Sequence, residues 1–252
     1  MNYLILIIFA LAPSFIWLLF FLRKDAHPES NKMILRVFLY GMLVAIPALI
    51  IERGLFEGFK KIIEYPALIS FLNIFLGVAF IEEFLKYFVF KKNLSGAPEL
   101  DEPADIMLYM IIAALGFAAF ENLLILLPLR SYFLIQDVFF LSLLRFVGAT
   151  FLHALASGLL GYFLALSFLK TKRRGILILT GLGTATLLHG LYNLSIIKMG
   201  EGLKEINGQM EIADYPLFIT FAFLLAGILI SLSLFVTLSF KKLKEIKSIC
   251  EI

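Results

Sequence analysis

Four apolar stretches of the sequence carry side chains of the types that perform acid-base chemistry or bind metals. These side chains are Glu82, Glu83 and Lys86; Glu121 with Asn122; His153 with Ser157; and His189 with Asn193. A charged side chain at the centre of a membrane helix costs at least about 2.5–3.5 kcal/mol on insertion scales. If these stretches cross a membrane, the groups need a shared interior where they can pair with one another.

The two adjacent glutamates are expected to have different roles. Neighbouring positions on an α-helix differ by about 100°, so Glu82 and Glu83 cannot both point at one spot. Lys86 lies four residues after Glu82 and three after Glu83, within reach of either carboxylate. One glutamate can therefore be held by the lysine while the other performs proton transfer. The structural alternative is an ion pair near the inner boundary, with Lys86 extending to the cytoplasm.

The histidines add to this set. Three are present; His27 falls in a predicted loop, whereas His153 and His189 lie inside apolar stretches. Each of these two has a polar residue one turn later, Ser157 or Asn193, and hence on the same helix face. Structural roles are the alternative for the flanking groups: Glu121 as a protonated acid, Asn122 as a helix-helix hydrogen bond, and Ser157 as a packing residue.

Two water-activating mechanisms fit these residue types. Two histidines and a carboxylate form a zinc site with an open position for water, and a second glutamate could then act as general base. In the metal-free alternative a glutamate and a histidine activate water, while His189 and Asn193 donate to the oxyanion. No H-E-x-x-H or Gly-x-Ser-x-Gly motif is present. Spacing alone does not choose between the two routes.

The composition indicates a membrane protein. Of 252 residues, 61% are hydrophobic and 16% are charged, and the mean hydropathy is +0.96. A soluble domain is about 45–50% apolar and about 25% charged. The net charge of +3 is too small to argue for nucleic acid, and the single cysteine, Cys250, excludes a disulfide scaffold.

The hydropathy pattern predicts an all-α bundle of about seven transmembrane helices, forming one integral membrane domain over residues 1–252. The spans are Tyr3–Leu22, Met33–Ile51, Ala67–Phe90, Ile106–Leu127, Phe139–Leu169, Gly175–Ile197 and Tyr215–Phe240. Residues 54–65 have the apolar face of an interfacial amphipathic helix. The segment 200–214 is predicted to be a polar outer loop.

The basic residues predict the orientation, because they accumulate in cytoplasmic loops. One set of alternate loops carries 14 lysines and arginines and the opposite set carries about seven, Arg145 among the latter. The N-terminus is therefore expected outside and the C-terminus in the cytoplasm.

The order of the four motifs is similar to that of a known family. Glu82-Glu83-x-x-Lys86, Phe-Glu121-Asn122, His153-x-x-x-Ser157 and His189-Gly-x-x-Asn193 resemble the successive motifs of PrsW-type intramembrane proteases. That family is grouped with the CAAX prenyl proteases and the scaffold subunit of γ-secretase. The resemblance covers the helices within about 67–197.

The resemblance implies an intramembrane peptidase that cleaves a membrane-anchored protein, in regulated proteolysis, within a prokaryotic cell membrane. It implies catalytic or metal-binding roles for Glu82, Glu83 and His189, with His153 beside them. Together with the residue types, it predicts Glu82, Glu83, His189 and Asn193 as catalytic residues, and His153, His189 and Glu121 as metal ligands. Zinc is the expected metal, and the predicted supporting residues are Lys86, Asn122 and Ser157. Two alternatives are a catalytically silent scaffold and a proton-coupled transporter. The lipid bilayer is an expected partner, and nucleic acid is not.

Overall fold

The computed structural model describes residues 2–24, 29–93, 100–131, 134–206 and 209–246. His27 and Cys250 lie outside these residues. Within the described part, nine α-helices and one short β-hairpin are present. The helices are α1 (Tyr3–Leu22), α2 (Asn31–Ile62), α3 (Pro66–Leu72), α4 (Ile81–Asn93), α5 (Pro103–Leu126), α6 (Ile135–Val147), α7 (Ala149–Leu169), α8 (Arg174–Glu201) and α9 (Tyr215–Lys244).

Seven helical segments in the described residues are long and apolar enough to cross a bilayer, which confirms the predicted all-α membrane bundle. They are Tyr3–Leu22, Asn31–Ile62, Pro66–Asn93, Pro103–Leu129, Ile135–Leu169, Thr171–Glu201 and Tyr215–Lys244. The orientation of the termini stays a prediction.

Helix α5 lies at the centre of the bundle. Every residue from Pro103 to Ala119 is buried, as expected for a helix that is apolar on all sides. Its neighbours are α1, α2, α4, α7 and α9. Because α5 carries Glu121 near its C-terminal end, this packing fixes the position of that carboxylate.

Helices α2 and α5 approach each other through glycines. A Cβ atom added at Gly116 would overlap the backbone carbonyl of Phe38, and one added at Gly41 would overlap that of Ala113. Small residues of this kind allow membrane helices to pack closely.

Two segments differ from the sequence prediction. Residues 54–62 continue α2 without a break, so they are not a separate helix, and their place at the interface stays a prediction. The predicted polar loop contains an antiparallel hairpin of β1 (Leu203–Ile206) and β2 (Gln209–Ile212).

The third predicted span contains a π-helical segment, Asn73–Phe80, between α3 and α4. Hydrogen bonds from residue i to i+5 widen the helix there, which changes the direction of the side chains that follow. Glu82 and Glu83 come directly after this segment. Segments of this type occur frequently at functional sites.

The long fifth span is broken at Gly148, whose φ and ψ are −107° and −98°. A Cβ atom at this residue would lie 2.5 Å from the hydroxyl of Tyr192 and 2.8 Å from the carbonyl oxygen of Leu144, so the space at the break favours glycine. Trp17 of α1 covers the break. Its Nε1 donates to the carbonyl oxygen of Phe146 at 2.8 Å, and its ring stacks on Phe151 at 4.1 Å between centroids.

We predict that Gly116→Ala destabilises the protein, because its methyl group would force α2 away from α5. Overpacking costs about 1–3 kcal/mol, and thermal unfolding in detergent micelles measures it. Gly54→Ala is the matched control, since nothing lies within 4 Å of its added Cβ atom and alanine favours a helix. Equal stability of the two variants would contradict the close approach of α2 and α5.

Candidate active site

The centre of the site is the ammonium group of Lys86, which is completely buried. Its Nζ atom lies within hydrogen-bond distance of three acceptors: Glu83 Oε1 at 2.8 Å, Glu82 Oε2 at 3.2 Å and His153 Nδ1 at 2.9 Å. A lysine ammonium has three N–H donors and no acceptor, so all three donors are used. The ring of Phe117 lies 4.5 Å from Nζ.

Glu83 has no exposed surface, and both of its carboxylate oxygens are engaged. Oε1 contacts Lys86 and accepts from His189 Nδ1 at 3.0 Å. Oε2 accepts from the hydroxyl of Ser157 at 2.8 Å. Glu83 is therefore a positioning group for His189, whose Nε2 is left with its lone pair available.

His153 has the same kind of arrangement on the opposite side. Because Lys86 can only donate, Nδ1 of His153 must accept, and the ring proton is assigned to Nε2 from these partners. Nε2 lies 2.9 Å from Glu121 Oε2. Each histidine thus has a carboxylate behind one nitrogen, as is usual for histidines that bind metals.

One nitrogen of each histidine, Nδ1 of His153 and Nε2 of His189, lies near Glu82. Glu82 Oε2 lies 3.7 Å from His153 Nδ1 and 3.9 Å from His189 Nε2, and one atom from each residue falls within 4.8 Å of the other two. Ligand atoms around a tetrahedral metal lie about 3.3 Å apart. All three side chains are buried, so this group fits a divalent cation with small movements.

A cavity of about 440 Å³ opens beside this group. The polar residues of its wall are Asn73, Glu82, Glu121, Arg145, His153, His189 and Asn193. Its remaining wall is mostly apolar and includes Ile74, Val78, Leu141, Leu144, Leu152, Tyr192, Ile196 and Ile197. The cavity therefore places reactive groups beside a surface suited to an apolar segment.

Arg145 belongs to the site, although the sequence analysis counted it among the loop charges. Its Nη2 donates to Glu121 Oε2 at 2.9 Å, and its Nε donates to Asn122 Oδ1. The amide of Asn122 in turn donates to the carbonyl of Ala10 and to Thr150 Oγ1. The signal in the sequence is an arginine within an apolar span, which needs an interior partner.

Glu52 of α2 is a second carboxylate that the sequence analysis did not single out. Its Oε1 atom is buried and has no hydrogen-bond partner in the described part of the chain. It does not line the cavity beside Glu82.

The structure brings together most of the residues selected from the sequence. Eight of them form one hydrogen-bonded cluster, to which Arg145 also belongs. These eight are Glu82, Glu83, Lys86, Glu121, Asn122, His153, Ser157 and His189. Asn193 lines the same cavity, but its side chain has no hydrogen-bond partner among the described residues. The histidines converge with Glu82 and not with Glu121, whose predicted role as a metal ligand is untested.

Comparison with known proteins identifies the family of the chain. Residues 29–237 match the family model described as PrsW family intramembrane metalloprotease. The protein named Protease PrsW from Oceanobacillus iheyensis is 30% identical over 183 residues, which are 73% of this chain and 79% of that protein. The Protease PrsW of Geobacillus kaustophilus is 30% identical over 69% of this chain and 71% of its own length. The Protease PrsW of Bacillus subtilis is 30% identical over 73% of this chain and 78% of its own length.

No solved structure matches the fold significantly. The family match includes every residue of the buried cluster, from Glu82 to His189. The chain belongs to the PrsW family of intramembrane metalloproteases.

Proposed function

We propose that this integral membrane protein hydrolyses a peptide bond of a membrane-anchored protein, using water activated beside Glu82, His153 and His189. The observation that carries the proposal is the convergence of these three side chains at the wall of the cavity. An apolar cavity wall supports a substrate that reaches the site from the membrane.

The donor set fits zinc. Two imidazole nitrogens and one carboxylate oxygen, with an open position towards a cavity, are the ligands of many catalytic zinc sites. Glu83 and Glu121 behind the two histidines would fix the ring orientations. Zinc held there supplies Lewis acidity that makes water a strong nucleophile at neutral pH.

Glu121 is placed to accept the proton from water in this route. Its Oε2 atom is engaged by Arg145 and His153, whereas its Oε1 atom has no partner among the described residues. The side chain keeps 29% of its surface exposed at the cavity. The carboxyl group can then return the proton to the leaving amine.

Glu82 is the proton acceptor in the metal-free route. It faces the cavity, while both oxygens of Glu83 are used by buried partners. In both routes Glu83 positions His189. Asn193 and Arg145 are donors at the cavity wall and can stabilise negative charge that develops on the scissile carbonyl.

The protease family favours an enzyme over the scaffold and transporter alternatives. The cellular setting we propose is a bacterial cell membrane, with cleavage towards the outer half of the bilayer as a step of regulated proteolysis. The predicted orientation supports this placement, because it puts the segment that follows His189 on the outer side.

We predict that Glu82→Gln abolishes proteolysis, because the amide can neither accept a proton nor bind a metal as a carboxylate does. Loss of acid-base catalysis lowers the rate by about 10²–10⁴-fold. New N-termini in membrane proteins, measured in cells expressing each variant, report cleavage without knowledge of the substrate. Glu57→Gln changes an exposed glutamate and should retain every new terminus. Identical termini in cells expressing Glu82→Gln would contradict the assignment.

We predict that the purified enzyme holds one zinc ion, and that a chelator removes the ion together with activity. His153→Ala and His189→Ala should each lose the metal, since each removes one ligand, whereas Ser157→Ala should retain it. Metal analysis by mass spectrometry measures the stoichiometry. An active enzyme without metal would favour the metal-free route through Glu82.

We predict that Arg145→Met lowers both stability and activity, because Glu121 loses the positive charge beside it and Asn122 Oδ1 loses its donor. An unpaired buried polar group costs about 1–3 kcal/mol. Thermal unfolding in detergent and the assay of new N-termini measure the two effects. Arg53→Met, at an exposed position, is the matched control, and equal behaviour of the two variants would contradict the role of Arg145.

A further inference from the structure

We infer that Lys86 and a divalent metal compete for the same lone pair, so that the lysine limits metal affinity and stabilises the metal-free enzyme. The inference rests on the proposed metal site. It assigns to Lys86 a role in regulating that site.

The competition is at Nδ1 of His153. Lys86 Nζ lies 2.9 Å from this atom and donates to it. An imidazole nitrogen has one lone pair, which can accept one hydrogen bond or bind one metal ion. Nδ1 is also the nitrogen of His153 that lies 3.7 Å from Glu82 Oε2, within the metal-binding group.

The other contacts of Lys86 do not conflict with a metal. Carboxylate oxygens have two lone pairs each, so Glu82 can contact the ammonium and a metal together. Glu83 lies outside the metal-binding group. Metal binding therefore requires Lys86 to release His153 alone, while its bond of 2.8 Å to Glu83 can persist.

Without the metal, the ammonium compensates the negative charge around it. Three carboxylates, those of Glu82, Glu83 and Glu121, face two basic side chains, those of Lys86 and Arg145. A buried carboxylate without a partner is costly. Lys86 thus allows the site to form before metal arrives.

The test is the affinity for Zn²⁺ of the full-length protein in detergent, measured by competition with a chromophoric chelator. Lys86→Met removes the competing donor, and a charge-assisted hydrogen bond is strong enough to change a binding constant by about tenfold or more. We expect Lys86→Met to bind Zn²⁺ about tenfold or more tightly than the unmodified protein. Zn²⁺ should also raise its unfolding temperature by more.

Lys60→Met is the matched control. Lys60 also pairs with a glutamate three residues earlier, at 3.4 Å from Glu57, and lies 4.3 Å from the ring of Phe56, but it is exposed. Its substitution should leave Zn²⁺ affinity unchanged. If Lys86→Met does not fold, Lys86→Gln replaces it: a neutral amide is a weaker donor than an ammonium group, so this variant should also bind Zn²⁺ more tightly than the unmodified protein.

A double-mutant cycle with His153→Ala tests the atom involved. The gain from Lys86→Met should disappear in the His153→Ala background, where the lone pair on Nδ1 of His153 is absent. Unchanged or weaker Zn²⁺ binding by both Lys86 variants would overturn the inference.

The inference and the proposed function fail in different ways. If no variant binds Zn²⁺ but cleavage still depends on Glu82, the inference is overturned and the proposed proteolytic function remains supported. The expected rise in Zn²⁺ affinity, without any new N-termini in cells, supports the inference and contradicts the proposed function.

Discussion

Lys86 places a positive charge where no solvent reaches, and an unpaired charge in such a position costs several kcal/mol, a large fraction of the net stability of most folds. The charged lysine is stabilised only when acceptors from more than one helix surround its ammonium group. Two come from α4 itself, and the third comes from His153 of α7. Folding of the bundle and assembly of the site are therefore coupled.

The same constraint extends outward from the lysine. By occupying Nδ1 of His153, it directs the other ring nitrogen to Glu121, which α5 carries at the centre of the bundle. By pairing with Glu83, it sets the acceptor that orients His189 of α8. One donor group thus determines how four helices present their polar side chains to a single cavity.

The sequence predicted the composition of this cluster better than its geometry. Glu82, Glu83, His153 and His189 could be selected because ionisable groups in apolar helices need interior partners. The π-helical turns before Glu82 have no clear sequence signal, yet they set the direction in which the glutamates point. For that reason the meeting of Glu82, and not Glu121, with the two histidines could not be predicted.

Arg145 was missed for a related reason. A long apolar span was predicted as one helix, and a lone arginine near its outer end resembled a loop charge. The break at Gly148 depends on tertiary packing against Tyr192, which spacing along the chain does not record. The membrane architecture, by contrast, follows from hydropathy alone and was predicted correctly.

The helix break also has a spectroscopic consequence. Trp17, which donates to Phe146 and stacks on Phe151 across the break, is the only tryptophan in the chain. All indole fluorescence of the native protein therefore originates from the Trp17 side chain at this break. Its emission wavelength and anisotropy report the separation of α6 from α7 without any introduced label. The chain thus contains an intrinsic optical probe of the junction between α6, which carries Arg145, and α7, which carries His153.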